Sequence, residues 1–310
     1  MDKVNTLSAQ DVADILHVSK STIYNLIRSG EITSYKVGRK VRFAESDVQE
    51  YIDRSRKKST VENISAASLD TELLPDTADS FVICGQDLLL DVLSNYMRLH
   101  GIQAMRTYIG SYDSLIALYK KKVNVASTHL WDGQNNQYNN AYVKRLLPGV
   151  QTQIIHLADR MQGLYIKEGN PKGISNWDDF KRDDILMINR EYGSGSRVLL
   201  DENLKLLGIF SRNIRGYKNE GQSHLAVASA VAGGNADIAV GIEKVARQVE
   251  GIEFIPLKKE RYDIVIRKEE ENTYTMQTML KIIRSKAFKE EFDNIGGYDT
   301  TEMGTIIAEI

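Results

Sequence analysis

Apolar positions recur at helical spacing through the first fifty residues, and beyond a polar stretch they gather into short runs separated by longer helical patterns. Ser8 precedes Val12, Ala13, Ile15 and Leu16, which predicts a short helix capped by a serine hydroxyl. His17-Val18-Ser19 breaks it, and Ile23, Leu26 and Ile27 form the inward stripe of a second helix. Ile32 to Phe43 alternates about Gly38 as a hairpin would, and residues 44–52 close the unit with a third helix. Residues 59–79 turn to Ser, Thr, Ala, Asp and Glu and predict a linker, with room for a short helix near Ala66 to Leu74.

Beyond the linker, strand-like runs at Phe81 to Cys84, Ala104 to Ile109 and Val123 to Thr128 each precede a helical pattern, the arrangement of parallel βαβ units. The alternation resumes at Ile185 to Asn189 and at Ala236 to Val240, which predicts a second α/β unit, and two amphipathic helices follow at Thr275 to Ser285 and Ala287 to Asn294. The domains expected are therefore 1–58, a linker over 59–79, and 80–310.

Composition adds limits. A chain of 310 residues with 42% hydrophobic and 26% charged residues is long enough for two or three folded domains. Net charge of −2 rules out a uniformly basic nucleic-acid coat, but the charge is uneven. Between His17 and Phe43 stand Lys20, Arg28, Lys36, Arg39, Lys40 and Arg42 against Glu31 alone, an anion-facing module. The single cysteine, Cys84, excludes a disulfide framework and a cysteine-cluster zinc site and suits a reducing compartment. With no signal-like or membrane-spanning run, a cytoplasmic location is expected.

In the second helix, Lys20, Ser21, Thr22, Tyr24, Asn25 and Arg28 remain for solvent, types that bond phosphates and base edges. Two short helices joined by a tight turn, followed by a basic hairpin, form a helix-turn-helix with a wing, whose second helix enters the major groove. The plainer alternative, a three-helix domain with a solvated basic face, leaves the agreement of charge, turn and wing unexplained. Residues Leu7 to Arg54 resemble the excisionase or MerR-like winged helix-turn-helix family through Leu-Ser-Ala-Gln-Asp-Val-Ala-Asp-Ile-Leu, Val-Ser-Lys-Ser-Thr-Ile-Tyr-Asn-Leu-Ile-Arg-Ser-Gly and Tyr-Lys-Val-Gly-Arg-Lys-Val-Arg-Phe. Phosphate contacts fall to Lys20, Arg28, Lys36, Arg39, Lys40 and Arg42, and base readout to Ser21, Thr22, Tyr24 and Asn25.

Three loops of the large region stand where strands lead into helices, at Cys84-Gly85-Gln86-Asp87, Ile109-Gly110-Ser111-Tyr112 and Asn189 to Arg197. Glycines admit a ligand to the backbone, and serines and helix N-terminal amides favour an anion, although each loop alone reads equally as a capped turn. Candidate ligand contacts are Gln86, Asp87, Ser111, His129, Arg190, Gly193, Ser194, Gly195, Ser196, Arg197, His224 and Tyr262. One of the two arginines has an alternative partner in Glu191 or Asp201. His129 and His224 read as packed or ligand-facing, and Trp131 and Tyr138 as core or cleft-lining. Spacing matches no zinc site, hydrolase motif or nucleophile elbow, so no enzyme is expected, no catalytic or metal residue is assigned, and no cofactor is implied.

The order of Ser127-Thr128-His129-Leu130, Gln162-Gly163-Leu164, Gly169-Asn170-Pro171-Lys172-Gly173, Gly193-Ser194-Gly195-Ser196-Arg197, His224-Leu225-Ala226-Val227-Ala228 and Glu260-Arg261-Tyr262-Asp263 resembles the periplasmic-binding-protein-like domain found behind helix-turn-helix modules. The resemblance implies a two-lobed α/β type-II fold related to molybdate and tungstate receptors. Gln86-Asp87 departs from the Ser/His-type loop of that family. The fold class expected is thus mixed, a small α-helical winged helix-turn-helix domain plus this two-lobed domain. The function implied is a homodimeric regulator that binds double-stranded DNA and senses an oxyanion, molybdate or tungstate. The alternatives are a molybdenum-cofactor-handling protein or enzyme with a molybdopterin-related ligand, and an architectural excisionase-like DNA-binding protein.

Overall fold

The computed structural model describes residues 6–16, 20, 23, 26–27, 32–37, 40–49, 51 and 80–310, and the chain divides into compact units of Met1–Ser68 and Leu69–Ile310. Ser21, Thr22, Tyr24, Asn25, Arg28 and Arg39 lie outside the described residues, as does the linker over 59–79.

The N-terminal unit opens with β1 (Thr6–Ser8) and α1 (Ala9–Ile15). The Ser8 hydroxyl accepts from the Asp11 amide while the Asp11 carboxylate accepts from the Ser8 amide, a reciprocal capping box that satisfies two otherwise orphaned donors. The expected hairpin is β2 (Tyr35–Val37) against β3 (Lys40–Ala44), in register Tyr35 with Arg42. β1 adds itself to the other edge of β3, pairing Leu7 with Phe43, so the wing belongs to a three-stranded sheet. Val12, Ala13, Ile23, Ile32, Phe43 and Val48 bury together as the core. Lys20 and Lys40 are exposed and Arg42 is half-buried.

In the large unit, β4 (Phe81–Cys84), α2 (Leu88–Leu99), β5 (Ala104–Thr107), α3 (Ser111–Tyr119) and β6 (Val125–Thr128) form the parallel βαβ arrangement expected, with β4 between β5 and β6. A short ribbon of β7 (Trp131–Asp132) and β8 (Gln137–Tyr138) leads to α4 (Asn140–Leu146). The next element departs from the expected alternation: β9 (Thr152–Lys167) runs sixteen residues. β10 (Asn189–Arg190), α5 (Gly195–Leu206), β11 (Glu220–Gly221), α6 (His224–Ala232), β12 (Ile238–Ile242) and α7 (Glu243–Ala246) make the second lobe. β13 (Ile252–Arg267) then returns over sixteen residues. The helices α8 (Tyr274–Arg284) and α9 (Lys286–Ile295) and β14 (Ile306–Glu309) complete the first lobe.

β9 and β13 pair antiparallel along their whole length, from Ile252 with Lys167 to Arg267 with Thr152. At one end β13 pairs β6, and at the other β9 pairs β12, so one ribbon carries both lobes. The result is a single mixed sheet, β12-β9-β13-β6-β4-β5, rather than two separate parallel units. The ribbon slips register at Pro256/Lys258 and Tyr262/Asp263, bulges that bend a strand and re-aim its side chains. Separate apolar cores sit on either side of it. Leu89, Leu93, Ile264, Met279 and Phe288 belong to the first lobe, and Leu164, Phe180, Met187, Leu200 and Ile238 to the second. Among the described residues, no helix is long and apolar enough to cross a membrane, and no cluster of His, Cys, Asp and Glu suits a metal ion.

Candidate functional site

Where the ribbon passes between the lobes, helix N-termini from both sides converge on one cavity. Asp87 caps α2, its Oδ1 accepting from the Leu89 amide at 2.7 Å, and Gly110 caps α3 with no side-chain cap bond. From the second lobe Ser194 caps α5, accepting from the Arg197 amide at 3.3 Å, and Ser223 caps α6 ahead of His224. Asp87, Gly110, Ser111, Ser194, Gly195 and His224 all line the cavity, so the positive ends of four helices face it. The backbone comes close because glycines permit it. Gly85 has φ of +143°, and a Cβ there would lie 1.8 Å from the Ser127 hydroxyl; a Cβ on Gly195 would lie 2.4 Å from the His129 ring.

The ribbon supplies the floor. Arg160 of β9 forms ion pairs with Asp87 and, at 2.5 Å, with Glu260 of β13, and its guanidinium lies 4.1 Å over the Tyr262 ring. Burial opposes the Arg160 charge, but the Glu260 and Asp87 carboxylates raise its pKa above the ordinary arginine value. Burial alone would raise the Glu260 carboxyl, yet Arg160 and His129 hold it at about 2. His129 Nδ1 lies 2.7 Å from Glu260, and Gln162 donates to the same carboxylate and to Ser196. Arg160 Nε and His224 Nδ1 are buried without hydrogen-bond partners in this wall, while Arg160 Nη2 is taken by Glu260. Burial, then Arg190 and Arg160, drives the His224 pKa far down, so its imidazole is neutral.

At the rim, Arg190 is clasped by its neighbour: Nε donates to Glu191 at 2.7 Å and Nη2 to the other Glu191 oxygen at 2.7 Å. Gln86 of the first lobe closes the group, accepting from Arg190 at 2.6 Å and donating to Glu191 at 3.2 Å. The Tyr112 amide donates to the Gly193 carbonyl at 2.9 Å, so the lobes also meet through backbone.

Nine of the twelve ligand residues expected from sequence line this one cavity: Gln86, Asp87, Ser111, His129, Arg190, Ser194, Gly195, His224 and Tyr262. Three do not. Gly193 is spent on the lobe seam, and Ser196 points to Gln162. Arg197 lies buried between the Tyr192 and Tyr217 rings, paired with Asp201 and Glu220. Both partners weighed for the arginines are used, Glu191 by Arg190 and Asp201 by Arg197. Trp131 and Tyr138 pack with Leu199 in a small core instead of lining the cleft. Sequence reasoning missed Arg160 and Ser127. The signal for Arg160 was weak: an arginine next to Asp159 in a largely apolar run, Ile154 to Ile166, that also holds His156 and Gln162, where a buried charge needs a partner.

The cavity is small, about 20 Å3, where one water needs roughly 10–15 Å3. That suits a compact polyatomic ion. Gln86, Asp87 and His224 also wall a neighbouring chamber of about 330 Å3 lined by Leu88, Tyr108, Leu225, Lys244 and Tyr298.

Residues 93–284 match the PBP superfamily domain and residues 6–56 match a helix-turn-helix domain. A Bacillus subtilis relative, the uncharacterized protein YvgK, is 39% identical over the full length of both chains. Among solved structures, a phosphate ABC transporter substrate-binding protein with bound phosphate from Clostridium perfringens overlays 71% of this chain and 99% of its own, with a TM-score of 0.54 and 14% identity. The tungstate ABC transporter from Geobacter sulfurreducens overlays 70% and 99%, with a TM-score of 0.52 and 10% identity. At such identities these two likenesses speak for the fold.

Proposed function

Since the chain belongs to the PBP superfamily, with a helix-turn-helix domain at its N-terminus, we propose that it is a cytoplasmic, homodimeric transcription regulator whose large domain senses an oxyanion and is not an enzyme. The observation that carries this reading is the cavity itself: four helix N-termini, Ser111 and Ser194 hydroxyls, and Arg160, whose buried Nε has no partner, surround a space of ionic size. No titratable group there is placed as a nucleophile with a base, as covalent catalysis needs. The favoured ions are molybdate and tungstate, through the resemblance of the sequence motifs and the fold shared with a tungstate transporter protein.

Because Arg160, Glu260 and Tyr262 stand on the strands common to both lobes, an anion bound to this floor pulls directly on the elements about which the lobes would close. Such closure changes DNA binding by the differential affinity of the ligand for the two arrangements. Exposed Lys20 and Lys40, with Arg28, Lys36, Arg39 and Arg42, would hold the phosphates, and Ser21, Thr22, Tyr24 and Asn25 would read the bases. A single module offers few contacts, so a dimer on a two-fold site is expected. A second reading, a molybdopterin-related ligand, draws on the 330 Å3 chamber beside the cavity, which a bare ion leaves unused.

Calorimetric titration of the full chain with molybdate, tungstate, sulfate and phosphate tests the proposal. Molybdate or tungstate should bind with the highest affinity, and absence of binding by all four would sink the oxyanion reading.

A further inference from the structure

Carboxylates outnumber guanidiniums around the cavity: Asp87, Glu260 and Glu191 against Arg160 and Arg190. Two of the three are fixed. Asp87 is also held by the Leu89 amide and by the Tyr298 hydroxyl at 2.9 Å, and Glu260 by His129 and Gln162, and both carboxylates are buried. Glu191 differs. It sits at the rim in the loop between β10 and α5, its side chain 14% exposed, and its carboxylate fills the fork of Arg190 while the Arg190 side chain is 2% exposed and lines the cavity. An anion entering the cavity therefore meets a guanidinium already paired with a carboxylate.

We propose that Glu191 is an internal competitor for Arg190 that sets which charge class of ligand the cavity accepts. This inference rests on the anion-binding reading above. A carboxylate or other singly charged ligand would merely exchange one negative oxygen pair for another and gain nothing for the exchange. A doubly charged tetrahedral oxyanion, whether a free ion or the terminal phosphate of an organic ester, gains about twice the Coulomb attraction to Arg190 and Arg160 and outcompetes Glu191. The same carboxylate faces Asp113 of α3 across the lobe seam: burial, and then the Glu191 charge, raises the Asp113 pKa. Displacing Glu191 thus changes the electrostatics of the seam as well as the site.

The test is calorimetric titration of the full-length protein and its Glu191→Gln variant with molybdate and sulfate as dianions, and with perchlorate and acetate as monoanions. Gln keeps an oxygen on Arg190 but removes the competing charge, so the dianion bound by the wild type should bind at least about tenfold more tightly, and perchlorate binding should become measurable. Glu191→Asp, which keeps the charge, should stay within about threefold of wild type, and melting curves of both variants check folding. Dianion affinity unchanged or weakened in Glu191→Gln, or perchlorate bound by the wild type as tightly as sulfate, would overturn the inference while leaving the anion site standing. If neither protein binds any of the four anions, the anion-site reading falls and this inference with it.

Discussion

Gly195→Ala puts the proposed lobe closure to a quantitative test. Gly195 begins α5 in the second lobe, and the new methyl would sit 2.4 Å from two atoms of the His129 ring in the first. The ring has little room to yield, because its Nδ1 is held 2.7 Å from Glu260 and its face meets Tyr262 edge-on at a centroid distance of 5.7 Å. Overpacking of this kind costs about 1–3 kcal/mol. The clash lies between lobes that share the β9–β13 ribbon and otherwise meet through side-chain and backbone contacts, among them Trp131 on Leu199, the Gly133 amide on Glu202 and Lys244 on the Gly296 carbonyl. The lobes can relieve it by parting at these contacts, so the cost falls on closure instead of folding. Ligand affinity should then drop by about 5- to 150-fold, at 1.4 kcal/mol per tenfold, with the ligand-free melting temperature lowered by a few degrees at most. Calorimetry with the best-binding oxyanion, paired with melting curves, measures both. His129→Ala in the same protein removes the obstacle and should recover part of the closure lost to the methyl, a coupling that a double-mutant cycle reads directly. Affinity within twofold of wild type in Gly195→Ala would refute the reasoning, because the lobes would then not need this contact in the bound state.

Further outcomes follow from the same geometry. Arg160→Met strands Asp87 and Glu260 as buried carboxylates and should destabilise the large domain by about 3–5 kcal/mol in urea unfolding; a change under about 1 kcal/mol would mean that the network relaxes into water. With the Glu260 pKa at about 2 in the fold against 4.5 ordinarily, its contribution to stability is full above about pH 4.5 and is lost as pH falls toward 2, so Glu260→Gln should flatten the acid limb of the stability profile. The depressed His224 pKa predicts a neutral ring by nitrogen NMR at pH 6, and a charged ring at that pH would contradict the burial described. Lys40→Ala at the exposed wing should weaken DNA binding across sequences and lower its salt dependence by about one ion, as measured by fluorescence anisotropy.

What the sequence determined by itself is local. Ser8 announced a helix start because a hydroxyl one turn ahead of an apolar stripe has few other uses, and the Ile32 to Phe43 alternation carried the hairpin in its period of two. Glycines and serines in three βα loops marked the cavity, since small residues and free amides belong where backbone meets a ligand. Partners distant in the chain were not legible. Nothing in the run from Thr152 to Lys167 says that it pairs with Ile252 to Arg267 to make one sheet of two lobes, because a fully buried strand lacks alternation and its register is set by a partner about a hundred residues away. The same distance hid the part played by Arg160, whose partners Asp87 and Glu260 only the fold brings to it. Arg190 and Arg197, seven residues apart in one motif, looked interchangeable in sequence. Tertiary packing alone turned Arg190 into the cavity and sealed Arg197 between Tyr192 and Tyr217, because a helix start gives neighbouring side chains different directions and only the surrounding structure decides which of them meets the cleft.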